Sequence, residues 1–262
     1  MKNVFKILAI TLILTFAVAT LASCQTGPVV TVGYTIYEPM NYKDANGKLV
    51  GFDTELAEKV FGNLGYTVVF KEISWEQKYT ELNSGSIDCI WNGFTSNGSD
   101  DGTPRAELVD FSYNYMENKQ VIVVKKDSGI ASAEDLKDKI GYVEAASAGE
   151  SYAKGFEGAI VKTVTKQTEA IFEVFSNTAQ FAVVDAQLAK SLVGKGDYAD
   201  LEIIEALSSD VEYYGIGFKK GSDLTAKVNE QLEALAESGY LKTLAEKYGV
   251  ETTTITDFSD QK

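Results

Sequence analysis

From Val29 onward, short apolar runs rich in β-branched residues alternate with stretches whose apolar residues recur at helical spacing. That alternation restricts the fold more than any other feature. Strand–helix–strand repetition buries both faces of largely parallel sheets and predicts an α/β architecture. Strands are expected near 29–34, 67–72, 87–91, 120–125, 140–144, 160–164, 181–185 and 212–218, with helices filling the gaps. Asp53 is placed to cap a helix whose Leu56, Ala57, Val60, Phe61 and Leu64 make one apolar face, and Gly65 ends it. Ser74 and Gln77 have capping-box spacing for the next helix, which stops near Gly85. From Asp223 to Tyr248 the helical spacing continues, and Gly239 divides the stretch into two helices. Asn46-Gly47 predicts a hairpin turn, since both residues tolerate the positive φ it requires. Ser96–Gly102 has no apolar anchor and reads as a polar loop.

The segment before Val29 is an address rather than part of the fold. Lys2 and Lys6 precede an uncharged apolar run, Ile7 to Leu21, that stops at Leu21-Ala22-Ser23-Cys24, the pattern of an export signal. Leu-Ala-Ser-Cys resembles the bacterial lipobox, which implies removal of residues 1–23 and acylation of Cys24, as with palmitate. An uncleaved anchor is the competing reading, because the run approaches the roughly 17 residues of a spanning helix; the small residues before Cys24 favour cleavage. Either reading puts the remainder outside the cytoplasmic membrane.

Only Cys89 is then left, so no internal disulfide is possible and the core must hold the protein together. Within Ile87-Asp88-Cys89-Ile90-Trp91 it reads as a small buried hydrophobe. Without histidine, with one thiol and no calcium-loop pattern, no metal is expected, and no cofactor. Loss of residues 1–23 leaves 22 lysines and arginines against 38 acids, a net charge of −16. Nucleic acid and anionic lipid surfaces are excluded as natural partners by that excess. The remaining 239 residues suit two lobes with a cleft between them.

Arg105 is the sole arginine beside 23 lysines. Lysine serves most surface roles of a cation, so a lone guanidinium points to bidentate recognition of a carboxylate. Its context is an ordered series of short motifs: Tyr37-Glu38-Pro39-Met40-Asn41-Tyr42 and Gly51-Phe52-Asp53; Leu82 to Asp88 with Asn92-Gly93-Phe94-Thr95; Thr103-Pro104-Arg105 with Val109-Asp110-Phe111-Ser112; Val143 to Gly149; Phe181 to Asp185; and Tyr214 to Gly221. From about Val29 to Gly249 this series resembles the extracytoplasmic solute-binding proteins of polar amino-acid ABC transporters, which have the two-lobed type II periplasmic-binding fold.

The resemblance implies that Arg105 binds a ligand α-carboxylate and that Asp185, at the end of a second-lobe strand, meets the α-ammonium; Asp185 also suits a helix N-cap. It places Tyr37 and Trp75 against the ligand side chain. Asn92, Gly93 and Thr95 would offer a carbonyl and a hydroxyl, and Ser147 and Ala148 the backbone amides of a helix start. Residues 29–116 with 215–262 would form lobe 1, residues 117–214 lobe 2, and residues 24–28 a tether. A zwitterion touching both lobes would close the cleft and present the closed form to separate permease chains. The resemblance further implies a monomer, lipid-anchored to the cell membrane, that is not an enzyme. Arg105 lies ten residues after Thr95, a longer spacing than the family's, so Ser96–Gly102 is an insertion at the rim of the site. Tyr34 stands where binders of basic amino acids often carry aspartate, which favours a polar uncharged ligand such as glutamine or cystine, although Glu38 keeps a basic ligand open. Two other readings remain: a dehydratase of the same fold, with Glu38 or Glu144 as general acid, and a ligand sensor.

Overall fold

The computed structural model describes residues 27–262, and the export signal and Cys24 lie outside the described residues. Two five-stranded sheets organise the chain. In the first, the order is Thr67–Glu72, Val29–Tyr34, Cys89–Ile90, Gly217–Phe218, Asp110–Phe111. The second runs Ile160–Val164, Ile140–Glu144, Phe181–Asp185, Gln120–Lys125, Leu201–Ile204. Each sheet is mixed but mostly parallel: four of its five strands run the same way, and Gly217–Phe218 in the first and Gln120–Lys125 in the second run against them.

The reason lies in the two links between the sheets. Met116–Asn118 and Glu212–Tyr214 run side by side as an antiparallel ladder, with Glu212 opposite Asn118 and Tyr214 opposite Met116. A strand that follows such a link, Gln120–Lys125 or Gly217–Phe218, starts at the end where the parallel strands finish and so must run against them. The expected strand at 212–218 is accordingly two strands, broken at Gly215-Ile216 where the chain passes from the link into the sheet.

Local chemistry differs from expectation at three places. Helix Phe52–Asn63 starts two residues earlier, with Gly51 at the N-cap; Gly51 has φ +133°, and a Cβ there would sit 2.1 Å from the Met40 carbonyl oxygen. Asp53 is therefore inside the first turn, fully buried, and accepts the Gly93 N–H at 2.9 Å. Ser74 forms no side-chain cap: its carbonyl accepts the Gln77 N–H and closes a 3₁₀ turn, Trp75–Gln77, ahead of helix Lys78–Ser84. In the Tyr42–Val50 hairpin only Gly47 adopts positive φ, and the Asp44 carboxylate gathers the amides of Asn46 and Lys48 into a wider loop. Gly239 separates helices Leu224–Glu237 and Tyr240–Tyr248 as expected, at φ +77°.

Strand Phe181–Asp185 is buried along its whole length, and the edge strands Thr67–Glu72 and Ile160–Val164 are half-open. Cys89 is a free, fully buried thiol in the first sheet. Among the described residues no helix is long and apolar enough to cross a membrane.

Candidate functional site

The ends of the parallel strands of both sheets converge on one small, partly open cavity, the usual place for a ligand in an open α/β sheet. Its wall from the first lobe is Trp75, Asn92, Gly93, Thr95 and Arg105. From the second come Glu144, Ser147, Ala148, Gln167 and Asp185. Glu144 and Asp185 terminate neighbouring parallel strands, and Arg105 opens the short helix Arg105–Leu108. Residues far apart in sequence thus bring one guanidinium and two carboxylates to a common space.

Arg105 is almost wholly buried, at 1% exposure. Nε and Nη2 both donate to Asp100 Oδ1, at 3.0 and 2.9 Å, and Nη1 donates to the Thr95 carbonyl at 3.2 Å. Its guanidinium carbon lies 5.2 Å from the centre of the Phe94 ring. Of the five N–H groups of a guanidinium, these bonds leave one on each terminal nitrogen. That pair is the fork that matches a carboxylate.

Asp100 belongs to the Ser96–Gly102 loop, which is ordered as a small hairpin, Ser99–Asp100 against Thr103–Pro104. Its other oxygen accepts the Tyr79 hydroxyl at 2.6 Å and lies 3.3 Å from Lys78 Nζ. Burial acts to raise the Asp100 pKa, but Arg105, Lys78 and Tyr79 outweigh it and hold the carboxyl below its ordinary value. Lys78 is itself buried between the rings of Trp75 and Tyr79, and burial, aided by Arg105, lowers it to about 8. Its ammonium reaches the second lobe, donating to the Ala146 carbonyl at 3.0 Å. A second interlobe pair, Lys166 to Glu72 at 2.7 Å, is more exposed.

Asp185 sits at the N-cap position of helix Ala186–Leu192 but makes no capping bond. Its Oδ1 accepts Asn118 Nδ2 at 2.7 Å and Gln120 Nε2 at 2.6 Å, and Oδ2 accepts Gln167 Nε2. The register that sets Gln120 opposite Asp185 explains the second of these. Burial raises the Asp185 pKa despite the amide donors. Glu144 is as deeply buried, with Oε1 lacking any hydrogen-bond partner; burial and then Asp185 push its carboxyl up to about 8. Glu212, on the interlobe ladder, accepts the Thr95 hydroxyl at 3.2 Å and Gln120 Nε2 at 2.9 Å. The cavity therefore has acidic walls around a single donor fork.

Eight of the nine residues singled out in the sequence line this cavity, and Tyr37 does not. Its ring packs on Gly93, where a Cβ would sit 2.6 Å from Tyr37 Cε1, and its hydroxyl bonds that of Tyr214 at 2.7 Å. Gly93, at φ +57°, is shaped by that approach. The Asn92 side chain is equally committed, donating to the Thr35 carbonyl and Asn41 Oδ1 and accepting from the Thr35 hydroxyl, which leaves its backbone to face the cavity. The Ser147 hydroxyl accepts the Glu150 N–H, capping helix Ala148–Ala153.

The sequence reading did not place Glu144 or Gln167 among the ligand contacts. Glu144 carried a signal, an ionisable residue closing an apolar strand, and Gln167 carried none. Among the described residues no cluster of His, Cys, Asp or Glu is suited to a metal ion.

Comparison with known proteins sets this geometry in a family. The sequence profile of bacterial extracellular solute-binding proteins, family 3, matches residues 30–251. This chain belongs to that family. The arginine-binding extracellular protein ArtP of Bacillus subtilis (strain 168) is 30% identical to this family member over 216 residues, 81% of this chain and 82% of ArtP. The L-cystine-binding protein TcyA of the same organism is 29% identical over 233 residues, 87% of this chain and 83% of TcyA. An ancestral arginine-binding protein solved with bound arginine superposes with a TM-score of 0.78 at 34% identity, covering 86% of this chain and 99% of the other. This solute-binding protein accordingly has the two-lobed type II periplasmic-binding fold, with relatives that are binding proteins by name.

Proposed function

We propose that this chain is the substrate-binding component of an importer and captures a free amino acid between its lobes. The observation that carries this reading is the pairing of Arg105 on one lobe with Asp185 on the other, both buried and both lining one cavity. An α-carboxylate takes the open fork of Arg105 and the N–H of Ala148. An α-ammonium takes Asp185, whose three amide donors leave acceptor capacity unused. Because the two charges sit on different lobes, the zwitterion gains full contact only in the closed form and shifts the hinge equilibrium toward it.

Lobe 1 then comprises residues 29–116 and 215–262, lobe 2 residues 117–214, and the paired links around Met116–Asn118 and Glu212–Tyr214 act as the hinge. Permease and ATPase are separate chains that read the closed form. Cys24 carries a lipid that holds a monomeric protein at the outer face of the membrane; mass spectrometry of the mature N-terminus tests that anchor.

Calorimetric titration of residues 25–262, stripped of carried-over ligand by unfolding and refolding, against L-amino acids and cystine tests the main reading. Tight binding of one or two amino acids without turnover supports it; silence from folded protein overturns it. One observation favours a catalytic alternative. Glu144, held protonated near neutral pH by burial, is a carboxylic acid able to donate a proton into the cavity. Conversion of a bound small carboxylate, followed by chromatography, would establish that reading instead.

A further inference from the structure

We infer that Glu144 selects the ligand side chain, and that the cargo is an α-amino acid whose side chain is cationic. This rests on the amino-acid reading of the same cavity and goes further by assigning its remaining charge. The α-carboxylate is answered by Arg105 and the α-ammonium by Asp185, which leaves Glu144 unanswered. It is 3% exposed, lines the cavity, and its Oε1 has no partner. Burial favours the protonated form of Glu144 in the empty cavity, and a cation placed beside it stabilises the ionised carboxylate instead.

Neither protein cation near the site bonds Glu144, although Lys78 lies close enough to act on its charge. Lys78 spends its ammonium on the Ala146 carbonyl and on Asp100, and Arg105 spends three N–H groups on Asp100 and Thr95. Around the cavity, Arg105 and Lys78 face the carboxyls Asp100, Glu144, Asp185 and Glu212. A ligand with a neutral side chain adds no net charge and leaves that acidic excess untouched. A ligand with a guanidinium or ammonium side chain offsets part of it at Glu144, and the Trp75 ring in the same wall offers a surface that suits a cation.

The preference for an uncharged ligand drawn from Tyr34 is thereby displaced. Tyr34 lies outside the cavity lining, edge-on to Phe70 at 6.1 Å, and the carboxylate that faces the side-chain position comes from the second lobe.

The test is a titration of the purified protein with arginine against citrulline, a pair matched in shape and differing in charge, and with lysine against norleucine, which lacks only the ammonium. Wild type is expected to bind the cationic member of at least one pair ten times or more tightly than its neutral partner. Glu144→Gln is expected to remove that advantage while leaving the affinity for the neutral member within a few-fold. Equal or tighter binding of both neutral members by wild type overturns the inference while leaving the amino-acid reading intact. So does a cation preference that survives in Glu144→Gln. If no amino acid of any charge binds to protein whose thermal unfolding is cooperative, the amino-acid reading itself fails. The wild-type ratios decide the question even if Glu144→Gln does not fold.

Discussion

Replacing Arg105 with lysine separates the guanidinium's shape from its charge. The wild-type side chain makes three bonds inside the protein, two to Asp100 and one to Thr95, and keeps two N–H groups for a carboxylate. An ammonium has three N–H groups in a tetrahedral array and cannot serve Asp100, the Thr95 carbonyl and both carboxylate oxygens together. At least one charge-assisted bond to the ligand is lost, worth about 1.5–3 kcal/mol. At about 1.4 kcal/mol per decade the affinity should fall roughly 10- to 100-fold. An unmade internal bond to Thr95 or Asp100 costs a further ~1–2 kcal/mol of stability. For a domain of this size that lowers Tm by roughly 2–8 °C. Calorimetry of refolded Arg105→Lys, with Tm read from circular dichroism, measures both. Affinity within twofold of wild type, in protein with the expected Tm, would remove Arg105 from the ligand site and leave it a purely internal anchor for the Ser99–Pro104 hairpin.

Asp185→Asn should weaken binding of an amino acid more than binding of its deaminated analogue, since only the former loses an ammonium partner; equal losses in calorimetry would argue for a structural role. Gly93→Ala forces a Cβ into Tyr37 and Tyr214 at positive φ and should cost about 1–3 kcal/mol in a denaturant titration, with weaker ligand binding from the raised floor. An unchanged denaturation midpoint would show that the tyrosine pair moves aside freely. Burial raises Asp53 from 3.8 to about 7 and Glu144 from 4.5 to about 8. In each case the folded chain keeps a proton that the unfolded chain has already released, so stability of the ligand-free protein should fall as pH rises from about 4 to about 8. Asp53→Asn retains an acceptor for the Gly93 N–H and should flatten that decline below pH 7 by an amount on the order of a few kcal/mol at most; a Tm profile identical to wild type from pH 5 to pH 8 refutes the assignment.

Most of the secondary structure was legible because it is decided locally. The apolar face of Phe52–Asn63, the break at Gly239 and the apolar run Phe181–Asp185 follow from spacing and from backbone freedom at single residues. The fully local rules failed where a distant group competed. Asp53 was free to cap its helix, yet the Gly93 amide, forty residues away, claims its carboxylate.

The sequence by itself determined an α/β chain, a strongly acidic composition, and a short set of polar residues at the ends of predicted strands. The resemblance then pointed to nine residues, eight of which share one cavity. Only the tertiary structure decided what each of those side chains touches. Hydrogen bonds between residues remote in sequence depend on sheet register and on how two lobes meet, and neither is written in local spacing. That is why Asp100, in a loop that reads as featureless polar sequence, proves to hold the only arginine. For the same reason the Tyr37 hydroxyl bonds that of Tyr214, and Glu144, an acid at the end of one strand among many, keeps one buried oxygen without a partner.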